Sequence, residues 1–129
     1  MTANPFDLTG KVAVITGANT GIGQAIALAL AQAGADIACV GRTPAEDTVA
    51  QARALGRKAE VISADLSTTA PVQRVIDETI ATLGRLDILV NNAGITRDNL
   101  AMRMKDEEWD AVIRINLEAA FRLMRAAAR

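Results

Sequence analysis

Histidine and tyrosine are both missing from this sequence, and aromatic side chains make up only 2% of it. Large rings therefore cannot build the core. Half of the residues are apolar, so Ala, Val, Ile and Leu must supply it, the composition of a parallel sheet covered by helices. A single cysteine, Cys39, supports neither a disulfide framework nor a zinc site. Its place within Ile37-Ala38-Cys39-Val40 marks it as a small buried hydrophobe, and no metal site is expected. No apolar run reaches membrane-spanning length, and Met1-Thr2-Ala3-Asn4-Pro5 has neither the charged nor the apolar region of a signal peptide. A net charge of −1 gives no electrostatic reason to expect nucleic acid or an anionic membrane as partner. A cytoplasmic protein with one modest core suits 129 residues.

What the chain does contain is organised around Thr16-Gly17-Ala18-Asn19-Thr20-Gly21-Ile22-Gly23. The apolar run Val12-Ala13-Val14-Ile15 precedes it and an alanine-rich segment follows, so it reads as strand, glycine turn, helix. Such a turn aims the free N–H groups of a helix N-terminus at whatever lies above it and favours an anion there. Glycines let the backbone come within contact of a pyrophosphate, where a side chain would collide.

The remaining elements alternate. Residues 1–10 are a lead-in, with Phe6 and Leu8 able to dock it on the body. Strand one covers about 11–16, and a helix over about 21–33 carries Ile22, Ile26 and Leu30 at four-residue spacing before Gly34 stops it. Strand two, Asp36 to about Val40, ends at Gly41-Arg42, and Thr43-Pro44-Ala45-Glu46 has the pattern of a capping box with proline in the first helical position. That helix runs to about Leu55. Strand three, about 59–64, delivers Asp65. Ser67, Thr68 and Thr69 then offer caps for a helix with the stripe Val72, Val75, Ile76, Ile80 and Leu83. Strand four, Asp87-Ile88-Leu89-Val90, leads into Asn91-Asn92-Ala93-Gly94. A last helix starts near Asp106, with Trp109, Val112, Ile113, Asn116, Leu117, Ala120, Phe121 and Met124 as its stripe. Alternation of this length implies βαβ crossovers and a parallel sheet in the order 3-2-1-4.

The spacing G-x-x-x-G-x-G after threonine, together with Asn91-Asn92-Ala93-Gly94 and the Asn116-Leu117…Phe121 context, resembles the short-chain dehydrogenase/reductase family. Within that family, the run from Asn91 to Met124 is similar to bacterial 3-oxoacyl-(acyl carrier protein) reductases. The earlier stretch looks more like 2-deoxy-D-gluconate 3-dehydrogenase relatives, which leaves the substrate open between an acyl thioester and a sugar acid. The resemblance implies an α/β fold, a Rossmann-type three-layer α/β/α sandwich. It also implies NAD(P)-dependent hydride transfer between a carbonyl and an alcohol, and a homo-oligomer. Cofactor contacts are implied at Thr16, Gly17, Asn19, Thr20, Gly21, Ile22, Gly23, Gly41, Arg42, Asp65, Leu66, Asn92, Ala93 and Gly94. Asp65 would accept a hydrogen bond from the adenine amino group, and Asn116 would position a catalytic lysine through a water. Asp65, Asn91-Asn92-Ala93-Gly94 and Asn116 each have a plainer alternative: a turn or capping aspartate, an ordinary asparagine–glycine turn after strand four, and a satisfied core asparagine.

Cofactor choice turns on the end of strand two. An NAD site wants an acid there for the ribose 2′-hydroxyl. The sequence has Gly41 and then Arg42, whose guanidinium can clamp a 2′-phosphate, so NADP is favoured over NAD. A solvated loop arginine is the alternative, and Thr20 stands where many NADP-using members carry a basic residue. One departure outweighs the rest. The family's proton-transfer machinery is a serine followed by a Y-x-x-x-K pair, and this sequence has no tyrosine. Of that set only Asn116 is present. Residues 1–129 are thus expected to be the N-terminal part of a single NAD(P)-binding domain, cut before its second half and inactive alone. A non-catalytic dinucleotide-binding module and an interaction fragment are the competing expectations.

Overall fold

The computed structural model describes residues 6–19, 21–65, 71–92, 105–113, 117 and 120–128. In chain order the elements are β1 (Val12–Thr16), α1 (Gly21–Gln32), β2 (Asp36–Gly41), α2 (Glu46–Ala54) and β3 (Ala59–Ser63). They are followed by α3 (Pro71–Leu83), β4 (Ile88–Val90), α4 (Asp106–Ile113) and α5 (Ala120–Ala127). The four strands form one parallel sheet in the order β3-β2-β1-β4, as the alternation of elements predicts.

Successive strand residues point to opposite faces, and the two faces carry two cores. Ala13, Ile15, Ile37 and Cys39 pack with Ala27 and Ala31 of α1 and with Val49 and Ala52 of α2. Val14, Ala38, Val40 and Ile62 pack with Val72, Val75 and Ile76 of α3 and with Leu123 of α5. The sheet is therefore covered on both sides, giving three layers. Cys39 is fully buried, and desolvation pushes its thiol up to about 11.

Four local expectations are corrected. The inner face of α1 is Gly23, Ala27 and Ala31, whereas Ile22 is 74% exposed. Hydrophobicity favoured the isoleucines, but glycine and alanine form the fully buried line of the helix, with Leu28 and Leu30 partly buried against the same core. Gly34 ends this helix as expected. At φ 116° its N–H reaches Ala31 O at 3.1 Å while the Ala35 N–H reaches Leu30 O at 3.0 Å, the paired bonds of a Schellman motif.

The start of α2 is also displaced. Ala45, not Thr43, occupies the N-cap, and no side chain caps it. Ala45 is buried in the core beside Val49, so docking of that methyl sets where the helix begins, and Pro44 stays outside it. The lead-in is tied by its backbone, Leu8 N–H to Ala33 O at 2.8 Å, while Phe6 is largely exposed. In the last helical region, Trp109, Leu117, Phe121 and Met124 are exposed and Leu123 is the buried residue. Leu123 packs against α3, which turns the expected stripe outward in this chain.

Candidate functional site

Parallel strands put all their carboxyl ends on one edge of the sheet, where ligands bind in open α/β folds. Thr16, Gly41, Ser63 with Asp65, and Val90 with Asn92 all lie there. Gly17 and Gly21 both adopt left-handed conformations, at φ 67° and 61°, which glycine alone takes without cost. Between them the chain reverses from β1 into α1.

The turn is fastened at several atoms. The Gly17 N–H donates to Val40 O at 2.8 Å, tying it to β2. Asn92 Nδ2 donates to Gly17 O at 3.1 Å, and the Asn92 N–H donates to Thr16 Oγ1 at 3.0 Å. Thr16 Oγ1 in turn contacts Val90 O at 3.4 Å. Thr48 of α2 donates from Oγ1 to Ala18 O at 2.8 Å. Thr16 and Asn92 thus act on the protein's own backbone, joining the ends of β1 and β4 beneath the turn.

The glycines divide their work. A Cβ on Gly23 would run into Gly17 O and Asn92 Nδ2, and would stand 2.8 Å from Gly17 C, so this position is closed by the turn itself. A Cβ on Gly21 would meet nothing within 4 Å. That face, above the N-terminus of α1, is open, and the free N–H groups and dipole of the helix end favour an anion such as a phosphate oxygen there. The residues present fit a pyrophosphate-bearing cofactor.

Beside the turn, a shallow cleft of about 280 Å³ is lined by Arg42, Ser63, Ala64, Asp65 and Arg74. The Ala64 N–H donates to Gly41 O at 3.0 Å and holds the ends of β2 and β3 together beneath it. Arg42 is exposed at the cleft. Arg74 is engaged, donating to Ser63 O at 2.6 Å and pairing with Glu78 at 2.9 Å.

The site residues expected at Thr16, Gly17, Asn19, Gly21, Ile22, Gly23, Gly41, Arg42, Asp65 and Asn92 all fall on this edge or on the first turn of α1. Those at Thr20, Leu66, Ala93, Gly94 and Asn116 lie outside the described residues. Two contributors went unforeseen. Arg74 sits eleven residues beyond the strand whose carbonyl it binds. Thr48 has no motif around it; only its place inside a helix, unusual for a β-branched hydroxyl, could have drawn notice. At the opposite edge, Asp87 accepts from the Val12 N–H at 2.9 Å and from Arg85 at 2.8 and 2.7 Å.

A parallel three-layer α/β fold with a glycine cradle at the carboxyl edge defines a Rossmann-like, nucleotide-binding type of protein. The family model described as short chain dehydrogenase matches residues 11–129, and the chain belongs to that family. It is 41% identical over 129 residues to 2-dehydro-3-deoxy-D-gluconate 5-dehydrogenase of Escherichia coli (strain K12), covering all of this chain and 51% of that one. It is 47% identical over 126 residues to the 3-oxoacyl-[acyl-carrier-protein] reductase of the same organism, covering 96% of this chain and 50% of the relative. A short chain dehydrogenase from Burkholderia cenocepacia J2315, solved in complex with NADP, superposes with a TM-score of 0.90 at 40% identity, over 95% of this chain and 51% of that structure. The chain thus spans about half the length of the relatives it matches. A sugar-acid dehydrogenase and an acyl carrier protein reductase are both among them, as the two stretches of resemblance imply.

Proposed function

We propose that these 129 residues are the dinucleotide-binding part of a single NAD(P)-binding domain of a short-chain oxidoreductase. The observation that carries this reading is the fastened glycine turn, which is closed at Gly23 and open at Gly21. The backbone over Gly17, Asn19, Gly21, Ile22 and Gly23 would hold the pyrophosphate, with Thr16 and Asn92 keeping it in shape. Asp65 and Leu66 would meet the adenine, Gly41 and Arg42 the ribose and its 2′-phosphate, and Thr20, Ala93 and Gly94 would complete the loop edge. NADP is favoured over NAD because an exposed guanidinium, and no carboxylate, follows β2. The Burkholderia cenocepacia relative was solved with NADP, which supports the same choice.

The nicotinamide cofactor supplies the hydride in a carbonyl–alcohol interconversion. The substrate is a small-molecule carbonyl or alcohol, of the sugar-acid or acyl-thioester kind that the two named relatives act on. Asn116 is assigned a positioning role in the complete site. Without a tyrosine, this chain by itself transfers no hydride. The whole enzyme is a cytoplasmic homo-oligomer in this reading. Exposed Trp109, Phe121 and Met124 support its assembly, since large apolar side chains left in water favour association.

Calorimetric titration of the chain with NADP tests the site. Wild type should bind and Gly21→Ala should not, because the added methyl stands on the open face of the turn. Equal heats from both proteins, with both folded by circular dichroism, would leave the turn a structural device only.

A further inference from the structure

Thr48 does something its neighbours in kind do not. Thr79 and Thr82, also within a helix, turn their hydroxyls back onto the carbonyls four residues earlier, Val75 O at 2.8 Å and Glu78 O at 2.7 Å. That is the usual resolution for a helical threonine. Thr48, with its side chain fully buried in the first turn of α2, instead reaches thirty residues back along the chain to Ala18 O.

Ala18 is itself buried, so its carbonyl needs a partner inside the protein. The next atoms along the chain are the reason this bond matters. A trans peptide sets C=O and N–H on opposite sides of the same plane. With the Ala18 carbonyl drawn inward by Thr48, the Asn19 N–H belonging to that peptide is turned to the opposite side, away from Thr48. Gly17, one residue earlier, is clamped on both of its polar atoms, by Val40 O and Asn92 Nδ2. Thr48 therefore fixes the next peptide of the turn, which those clamps do not reach.

We propose that Thr48 is a positioning residue of the dinucleotide site, orienting the Ala18–Asn19 peptide so that its N–H is offered to the pyrophosphate. The proposal rests on the reading that the glycine turn holds a dinucleotide, and it adds a residue of α2 that touches no part of the ligand. It also separates two ligand classes. A compound with a pyrophosphate uses the peptide that Thr48 orients; adenosine 2′-monophosphate, which has none, does not.

The test titrates the 129-residue chain and its Thr48→Val, Thr48→Ser and Thr48→Ala variants with NADP and with adenosine 2′-monophosphate, each protein first checked by thermal unfolding. Valine keeps the shape and removes the donor, so NADP should bind about threefold more weakly or worse, the effect of one lost buried hydrogen bond. Serine should restore binding, and adenosine 2′-monophosphate should be insensitive to all three substitutions. If Thr48→Val does not fold, the serine–alanine difference isolates the hydroxyl in the same way. NADP binding unchanged by removal of the hydroxyl overturns the proposal, and so does parallel weakening of both ligands, which marks a purely structural role. Wild type that ignores NADP altogether is a different result: it removes the reading of the turn on which the proposal stands.

Discussion

Asn92 and Gly23 compete for the same space: the Asn92 amide, donating to Gly17 O, sits where a Cβ on Gly23 would have to be. The absence of a side chain at Gly23 is thus a condition for β4 to reach the glycine turn. Gly23→Ala should destabilise the fold by about 1–3 kcal/mol, the usual range for overpacking. Pairing it with Asn92→Ala should give no rescue, since the Gly17 carbonyl still blocks the methyl. Urea unfolding measures this. A Gly23→Ala midpoint equal to wild type would mean the turn yields where the geometry says it cannot.

Arg42 is expected to discriminate by charge. An exposed guanidinium on a phosphate is a charge-assisted pair weakened by water and salt, so 2′-phospho-AMP should outbind AMP by about fivefold at low ionic strength and by less at high. Arg42→Ala should erase the difference. The same ratio in the alanine variant would move the 2′-phosphate contact elsewhere on the cleft.

Asp87 gives the fold an acid-sensitive fastening. Its carboxyl is held below the ordinary 3.8, chiefly by the Arg85 guanidinium and then by the Val12 N–H. A depressed carboxyl stabilises the folded state above its ordinary value, and that stabilisation is lost as pH falls from 3.8 through the lower folded value. Asp87→Asn should therefore be less stable than wild type at neutral pH, and the two should converge on acidification. A gap that stays constant across that range would assign the acid response to other carboxyls.

Cys39 should be inert while the protein is folded. Burial in β2 beneath α1 and α2 raises its thiol to about 11, so almost none is thiolate at mildly alkaline pH, and no reagent reaches it. A disulfide reagent should titrate one thiol in guanidinium chloride and none in buffer. Rapid labelling of the native chain would show that this face of the sheet opens.

The path from sequence to structure was clearest where periodicity is strong. Apolar runs separated by helical stripes made the β3-β2-β1-β4 order legible, and the glycine spacing located the turn. It failed where volume outranks hydropathy. Ile22 reads as core and Gly23 as punctuation, yet close approach of α1 to β1 reverses them. The capping pattern at Thr43 was a true local signal overruled by the docking of Ala45. Thr48 and Arg74 were out of reach because their partners, Ala18 O and Ser63 O, are backbone atoms, which no residue alphabet records.

The order of the strands also has a consequence in time. β1 lies between β2, which follows it closely, and β4, beyond whose end Asn92 comes 75 residues after Gly17. During synthesis from the N-terminus, β1, β2 and β3 with their helices emerge first and can pair before β4 exists. Closing so long a loop carries an entropy cost that local contacts do not, which slows the step further. The glycine turn is thus made among the first residues and locked only once residue 92 has emerged. Until Asn92 arrives, a nascent chain has the sequence of a cofactor site without its shape, so binding competence should appear abruptly once that residue can pair.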